Sequence, residues 1–89
     1  MANEQNQIIA HALALVKAAY QARSVTASGV ALLRKPERSG LESNVARHFI
    51  TGRQSGPTPT LAEAEGRLQW ADFQLRASLK RLGAAKRNG

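Results

Sequence analysis

The chain has 89 residues, with thirteen lysines and arginines against six acids and a net charge of +7. A chain of this length makes one domain and buries only about 60% of its unfolded surface, so close helix packing or self-association has to supply stability. There is no cysteine, which excludes disulfide staples and thiolate metal sites and suits a reducing, cytoplasmic setting.

The first predicted helix covers about residues 3–23. Ile9, Leu13, Val16 and Tyr20 recur on one helical face, and Ile8, Ala12, Leu15, Ala19 and Ala22 fill the adjoining one. This wide apolar arc predicts a core helix, with Glu4, Gln7, Lys17 and Gln21 on its wet side. Ser24 or Thr26 is a candidate cap for a second, shorter helix over 26–34, with Gly29 inside it and Pro36 ending it. A turn follows at Lys35–Gly40. Ser39 with Glu42 fits a capping box, and a third helix over 40–52 places Leu41, Val45, Phe49 and Ile50 inward, with Gly52 as C-cap.

Residues 53–60 form a linker, because two prolines and a glycine in Ser55–Thr60 interrupt any helix. Thr60 with Glu63 is a second capping-box pattern. The last helix runs over 61–82, ends at Gly83, and leaves a basic tail over 84–89. The expected fold is therefore all-α: a small bundle of three to four helices with a long C-terminal helix.

That last helix carries the strongest pattern in the chain. Leu61, Leu68, Leu75 and Leu82 repeat every seven residues, a stripe about 30 Å long at 1.5 Å per residue. The interleaved positions hold Ala64, Ala71 and Ser78, small enough for a second helix to approach closely. The stripe suits either a homodimer seam or antiparallel pairing with the first helix. Trp70, Phe73 and Ala77 lie on the opposite side of the same helix, flanked by Arg76 and Lys80. A helix with two apolar faces has to bury both or leave one for a partner.

Charge is unevenly spread: +3 over residues 1–40, −1 over 41–72 and +5 over 73–89. A basic end on a small helical protein points to an acidic partner, either nucleic acid or an acidic protein surface. Arg34, Lys35, Arg38, Arg47 and Arg53 surround the central turn and third helix, and are the candidate nucleic-acid contacts. They resemble a helix-turn-helix more in charge and helix order than in spacing, since the turn is about six residues long and contains a proline.

Catalytic chemistry is not expected. His11 and His48 lie on different helices without a cysteine, no serine sits in a glycine-flanked elbow, and no glycine-rich phosphate loop is present. No cofactor, metal or small-molecule substrate is implied. The N-terminal residues lack the pattern of a secretory signal, and no run of about 20 apolar residues is available to span a membrane.

The leading expectation is a small non-enzymatic nucleic-acid-binding or regulatory protein, acting as a homodimer. Its arginine and alanine usage suits a GC-rich bacterial or phage genome. The alternative is an adapter or inhibitor that docks an aromatic and basic helix face on an acidic partner. The dimer or partner interface would draw on Leu61, Leu68, Trp70, Phe73, Leu75, Arg76, Lys80 and Leu82.

Overall fold

A computed structural model of the protein describes residues 2–87. The described residues form three α-helices and no strand: α1 Ala2–Arg34, α2 Gly40–Thr51 and α3 Leu61–Arg87. Helices α1 and α3 run antiparallel as a long hairpin, and α2 packs across one end of α1. The start of α1 meets the end of α3, where the Gln5 side-chain amide donates to the Ala85 carbonyl at 2.5 Å. At the other end, Val30 and Leu33 of α1 meet Ala46 and Ile50 of α2 and Ala64 of α3. The molecule measures 55 × 20 × 16 Å, with a radius of gyration of 16.8 Å. A globular chain of this length has a radius of gyration near 12 Å.

The two helices expected over 3–23 and 26–34 are one helix of 33 residues, longer than the 27-residue C-terminal helix. Two local facts explain the difference. The Thr26 hydroxyl donates back to the Ala22 carbonyl at 2.9 Å and Ser28 to Ser24 at 3.1 Å, so these side chains follow the helix rather than cap a new one. Gly29 is a contact point, not a break. A Cβ there would stand 2.6 Å from Cγ1 of Ile50 and 3.2 Å from Cβ of Phe49, so the missing side chain is what lets α2 lie on α1. The helix ends just before Lys35-Pro36, as the restricted backbone before proline requires.

Helix α2 begins and ends as its sequence indicates. The Glu42 amide donates to Ser39 Oγ at 3.1 Å, and the Ser39 amide donates to the Glu42 carboxylate at 3.1 Å. Gly52 closes the helix with φ of 73°, and its amide donates to the His48 carbonyl at 2.8 Å. Its inward face differs from the expected one: Ala46 and Ile50 are buried, Val45 and Phe49 are half-buried, and Leu41 is exposed.

The 53–60 linker is tied down by one residue of α2. Arg47 donates to the Gln54 carbonyl at 2.5 Å, to the Gly56 carbonyl at 3.4 Å and to Asn44 at 3.0 Å. Pro59 is buried where the linker turns into α3. Only half of the second capping box forms, the Glu63 amide donating to Thr60 Oγ1 at 3.1 Å.

Gly83 does not end α3. The helix continues to Arg87 because its last turns lie against the start of α1, with Ala85 buried there. Residues 84–87 of the expected tail are thus helical, and 88–89 lie outside the described residues.

Candidate interaction face

The leucine stripe faces inward. Leu68, Leu75 and Leu82 are half-buried, and Ala64, Ala71 and Ala85 beside them are buried. Since α3 lies along α1, the stripe is used within the chain and is not an open dimer seam. Leu61, at the first turn, is exposed. Small residues at the interleaved positions bring the two helices close, in the leucine-and-alanine manner of an antiparallel pair.

Much of the remaining apolar surface has no cover. Of the wide arc on α1, only Ala12 is buried in the hairpin region, while Ile8, Leu13, Leu15 and Tyr20 are exposed. One neighbouring helix can cover only one stripe of another, and α2 is too short to cover the rest. A groove between the hairpin helices is lined by Leu15, Ala18 and Ala22 of α1 and by Trp70, Phe73, Ala77 and Arg81 of α3.

Trp70 and Phe73 are 60% and 61% exposed. Their rings stack on each other, with centroids 5.5 Å apart and planes 16° from parallel. Helical i, i+3 spacing places them side by side on the surface of α3. Arg76, Lys80 and Arg81 follow within the next two to three turns, all exposed. Asp72 lies at the inner edge of this patch. It accepts from Arg23 Nε at 2.6 Å across the hairpin, with Arg76 3.7 Å away on the same helix. The Arg23 hydrogen bond holds the Asp72 carboxyl below its usual pKa range, against the opposing effect of partial desolvation.

The five candidate nucleic-acid residues are brought to the α2 end of the molecule, but they do not form an open cluster. Lys35 is paired with Glu42, whose carboxyl it holds below the usual range together with the Ser39 amide. Arg38 donates to the Leu33 carbonyl at 2.8 Å and closes the end of α1. Arg47 clamps the linker, and its Nε is buried without a hydrogen-bond partner. Among the described residues, Arg34 and Arg53 have no side-chain hydrogen bond or ion pair and face solvent. The basic residues that remain together are those of α3: Arg76, Lys80, Arg81, Lys86 and Arg87, all exposed, with no acid among residues 73–87.

His11 and His48 sit on α1 and α2, both exposed. Among the described residues no three histidines or carboxylates cluster closely enough to hold a metal ion. Among the described residues no helix is long and apolar enough to cross a membrane.

Sequence reasoning singled out the aromatic patch, the rim of Arg76 and Lys80, and the basic end that contains Arg81, but not the α1 alanines that line the groove with them. The small stripe Ala18 and Ala22 is visible in the sequence, yet its pairing with α3 depends on the hairpin register. The chain matches no protein-family model, no curated protein and no solved structure.

Proposed function

We propose that this is a non-enzymatic interaction protein that docks the Trp70–Phe73 face of α3 on an acidic helical surface of a partner. The observation that carries this reading is the exposed, stacked aromatic pair beside Arg76, Lys80 and Arg81. Exposed rings forgo a large share of their burial energy, and aromatic and arginine side chains supply most of the binding energy in protein interfaces. The experiment is affinity capture with the wild type and with Trp70→Ala. A partner retained by the wild type and lost by the variant, with helicity unchanged in circular dichroism, supports the assignment. A partner that survives Trp70→Ala at equal yield overturns it.

The five cations over residues 76–87 favour a second reading, binding of nucleic acid as a dimer. Fluorescence anisotropy on a labelled duplex separates the two. Engaging about four to five phosphates predicts a loss of affinity of about two orders of magnitude between 50 and 200 mM salt. No binding at micromolar protein removes this second reading and leaves the first.

A further inference from the structure

We infer that the partner of this face is α3 of a second copy of this chain, paired antiparallel, so that the aromatic centre meets its own copy and the basic half meets the acidic half. The inference rests on the docking reading above and names its partner. Four observations converge on it.

The first is surface area. The chain exposes 6435 Å², whereas a compact protein of this mass exposes about 5,100 Å². The difference of about 1,300 Å² exceeds the ~800 Å² that each partner buries in a standard interface, and falls within the range of permanent dimers.

The second is the shape of the stripe of α3 opposite the leucines, whose centre at Trp70, Phe73 and Ala77 borders the groove along α1. Ala62, Gly66, Trp70, Phe73, Ala77 and Ala84 follow helical spacing on the side turned away from the leucines. All are exposed or half-buried. The small residues lie toward the two ends and the aromatics at the centre, a pattern that is self-complementary when the helix meets its own reverse.

The third is Gly66. A Cβ at Gly29 would strike Ile50, which accounts for that glycine, but a Cβ at Gly66 would meet nothing within 4 Å. A glycine inside a helix costs about 1 kcal/mol relative to alanine. No contact within the chain offsets that cost, whereas close approach of another helix would.

The fourth is charge. Residues 61–72 of α3 hold Glu63, Glu65 and Asp72 against Arg67, net −2, and residues 73–87 hold five cations and no acid, net +5. Parallel pairing would set like charge on like. Antiparallel pairing about a twofold axis near Phe73 sets the acidic half against the basic half, and opposes the two helix dipoles favourably. In that register Phe73 meets its own copy, Trp70 meets Ala77 and Ala62 meets Ala84. Glu63, on the flank of this stripe, then lies within one turn of Arg81 of the copy. Each contact occurs twice, as an isologous interface requires.

Sedimentation equilibrium of the full chain at about 100 μM, well above a micromolar dimer constant, tests the proposal. The expected result is a dimer for the wild type, and a monomer of equal helicity for Phe73→Glu, a change at an exposed site. Glu63→Arg or Arg81→Glu alone should weaken the dimer about tenfold, since each places like charges together twice. The double exchange should restore affinity to within about threefold of the wild type. A monomeric wild type overturns the second-copy inference, and the docking reading survives it if Trp70→Ala still abolishes capture of another protein. A dimer indifferent to Phe73→Glu places the self-contact on another face and overturns the second-copy inference, while the docking reading falls only if capture of a partner survives Trp70→Ala. A dimer lost in Phe73→Glu but not rescued by the double exchange overturns the antiparallel register.

Discussion

The two ends of the hairpin are built from the same kinds of residue and reach different outcomes. Where α2 crosses, three helices surround Val30, Leu33, Ala46, Ile50 and Ala64, and this is the chain's one cluster of buried apolar side chains among the described residues. Along the rest of the hairpin two helices meet alone. There the buried residues are only Ala12, Ala71 and Ala85, while Ile8, Leu13, Leu15, Tyr20, Trp70, Phe73 and Leu79 stay exposed. Apolar composition is similar in both regions. What differs is the number of neighbouring helices, since two cylinders in contact hide one stripe each and a third is needed to enclose a core. The α2 end has the packing of a finished protein, and the open end has the surface of a component.

Substitutions can test how far that contrast holds. The largest effect is expected at the closed end: Ile50→Ala should cost about 2–4 kcal/mol in denaturant unfolding, by lost burial and the cavity left behind. Leu79→Ala, on the open hairpin and half exposed, should stay within about 0.5 kcal/mol in dilute protein. Equal losses at the two sites would show that the open end is as well packed in solution as the closed one.

The glycines provide a smaller but sharper comparison, because the same substitution should change sign between the two regions. Gly29→Ala places a methyl 2.6 Å from Ile50 Cγ1. Overpacking there should destabilise by about 1–3 kcal/mol, in spite of the better helix propensity of alanine. Gly66→Ala meets open space, and should stabilise dilute protein by about 1 kcal/mol. A stabilised Gly29→Ala protein would mean that α2 does not press on α1 as described.

What the sequence revealed of this arrangement was local. Ser39 with Glu42, Gly52, Pro36 and the start of α3 after Thr60 are governed by neighbours within four residues, and the expected boundaries agree with the structure there. The continuity of α1 was not legible. Thr26 can cap a helix or bond back to Ala22 with the same hydroxyl, and whether Gly29 breaks a helix or seats another on it is decided by Phe49 and Ile50, 20 or more positions away. The leucine repeat announced a buried stripe but not its partner, since any adjacent helix of either chain satisfies the same spacing. Arg47 shows the limit for the candidate site. Its charge is plain in the sequence, but the Gln54 and Gly56 carbonyls that hold it come from a loop whose path had no periodic signal. The exposed pair Trp70 and Phe73 was legible as a second apolar face, and only the hairpin shows that this is the face left open.

The smallest expected effect concerns the ion pairs, one in each region. Arg23 lowers the Asp72 carboxyl pKa in the hairpin, and Lys35 with the Ser39 amide lowers that of Glu42 beside α2. In both cases the folded state holds its proton less tightly than the unfolded chain. The stabilisation is therefore present above the unfolded carboxylate pKa values of about 4, and is lost as pH falls through the lower folded values. The thermal midpoint should fall on acidification below about pH 4. Asp72→Asn and Glu42→Gln should each flatten that dependence while lowering the midpoint only slightly at neutral pH, as expected for exposed pairs. The two pairs differ in reach. Lys35 and Glu42 are seven residues apart and join the α1–α2 connection to the first turn of α2, whereas Arg23 and Asp72 are separated by 49 residues and join the two long helices. Hydrogen exchange should therefore show Glu42→Gln loosening only the start of α2, and Asp72→Asn loosening amides on both α1 and α3. Loosening confined to α3 in Asp72→Asn would show that the open hairpin is held by its alanines alone, and that the cross-helix pair adds nothing to its register.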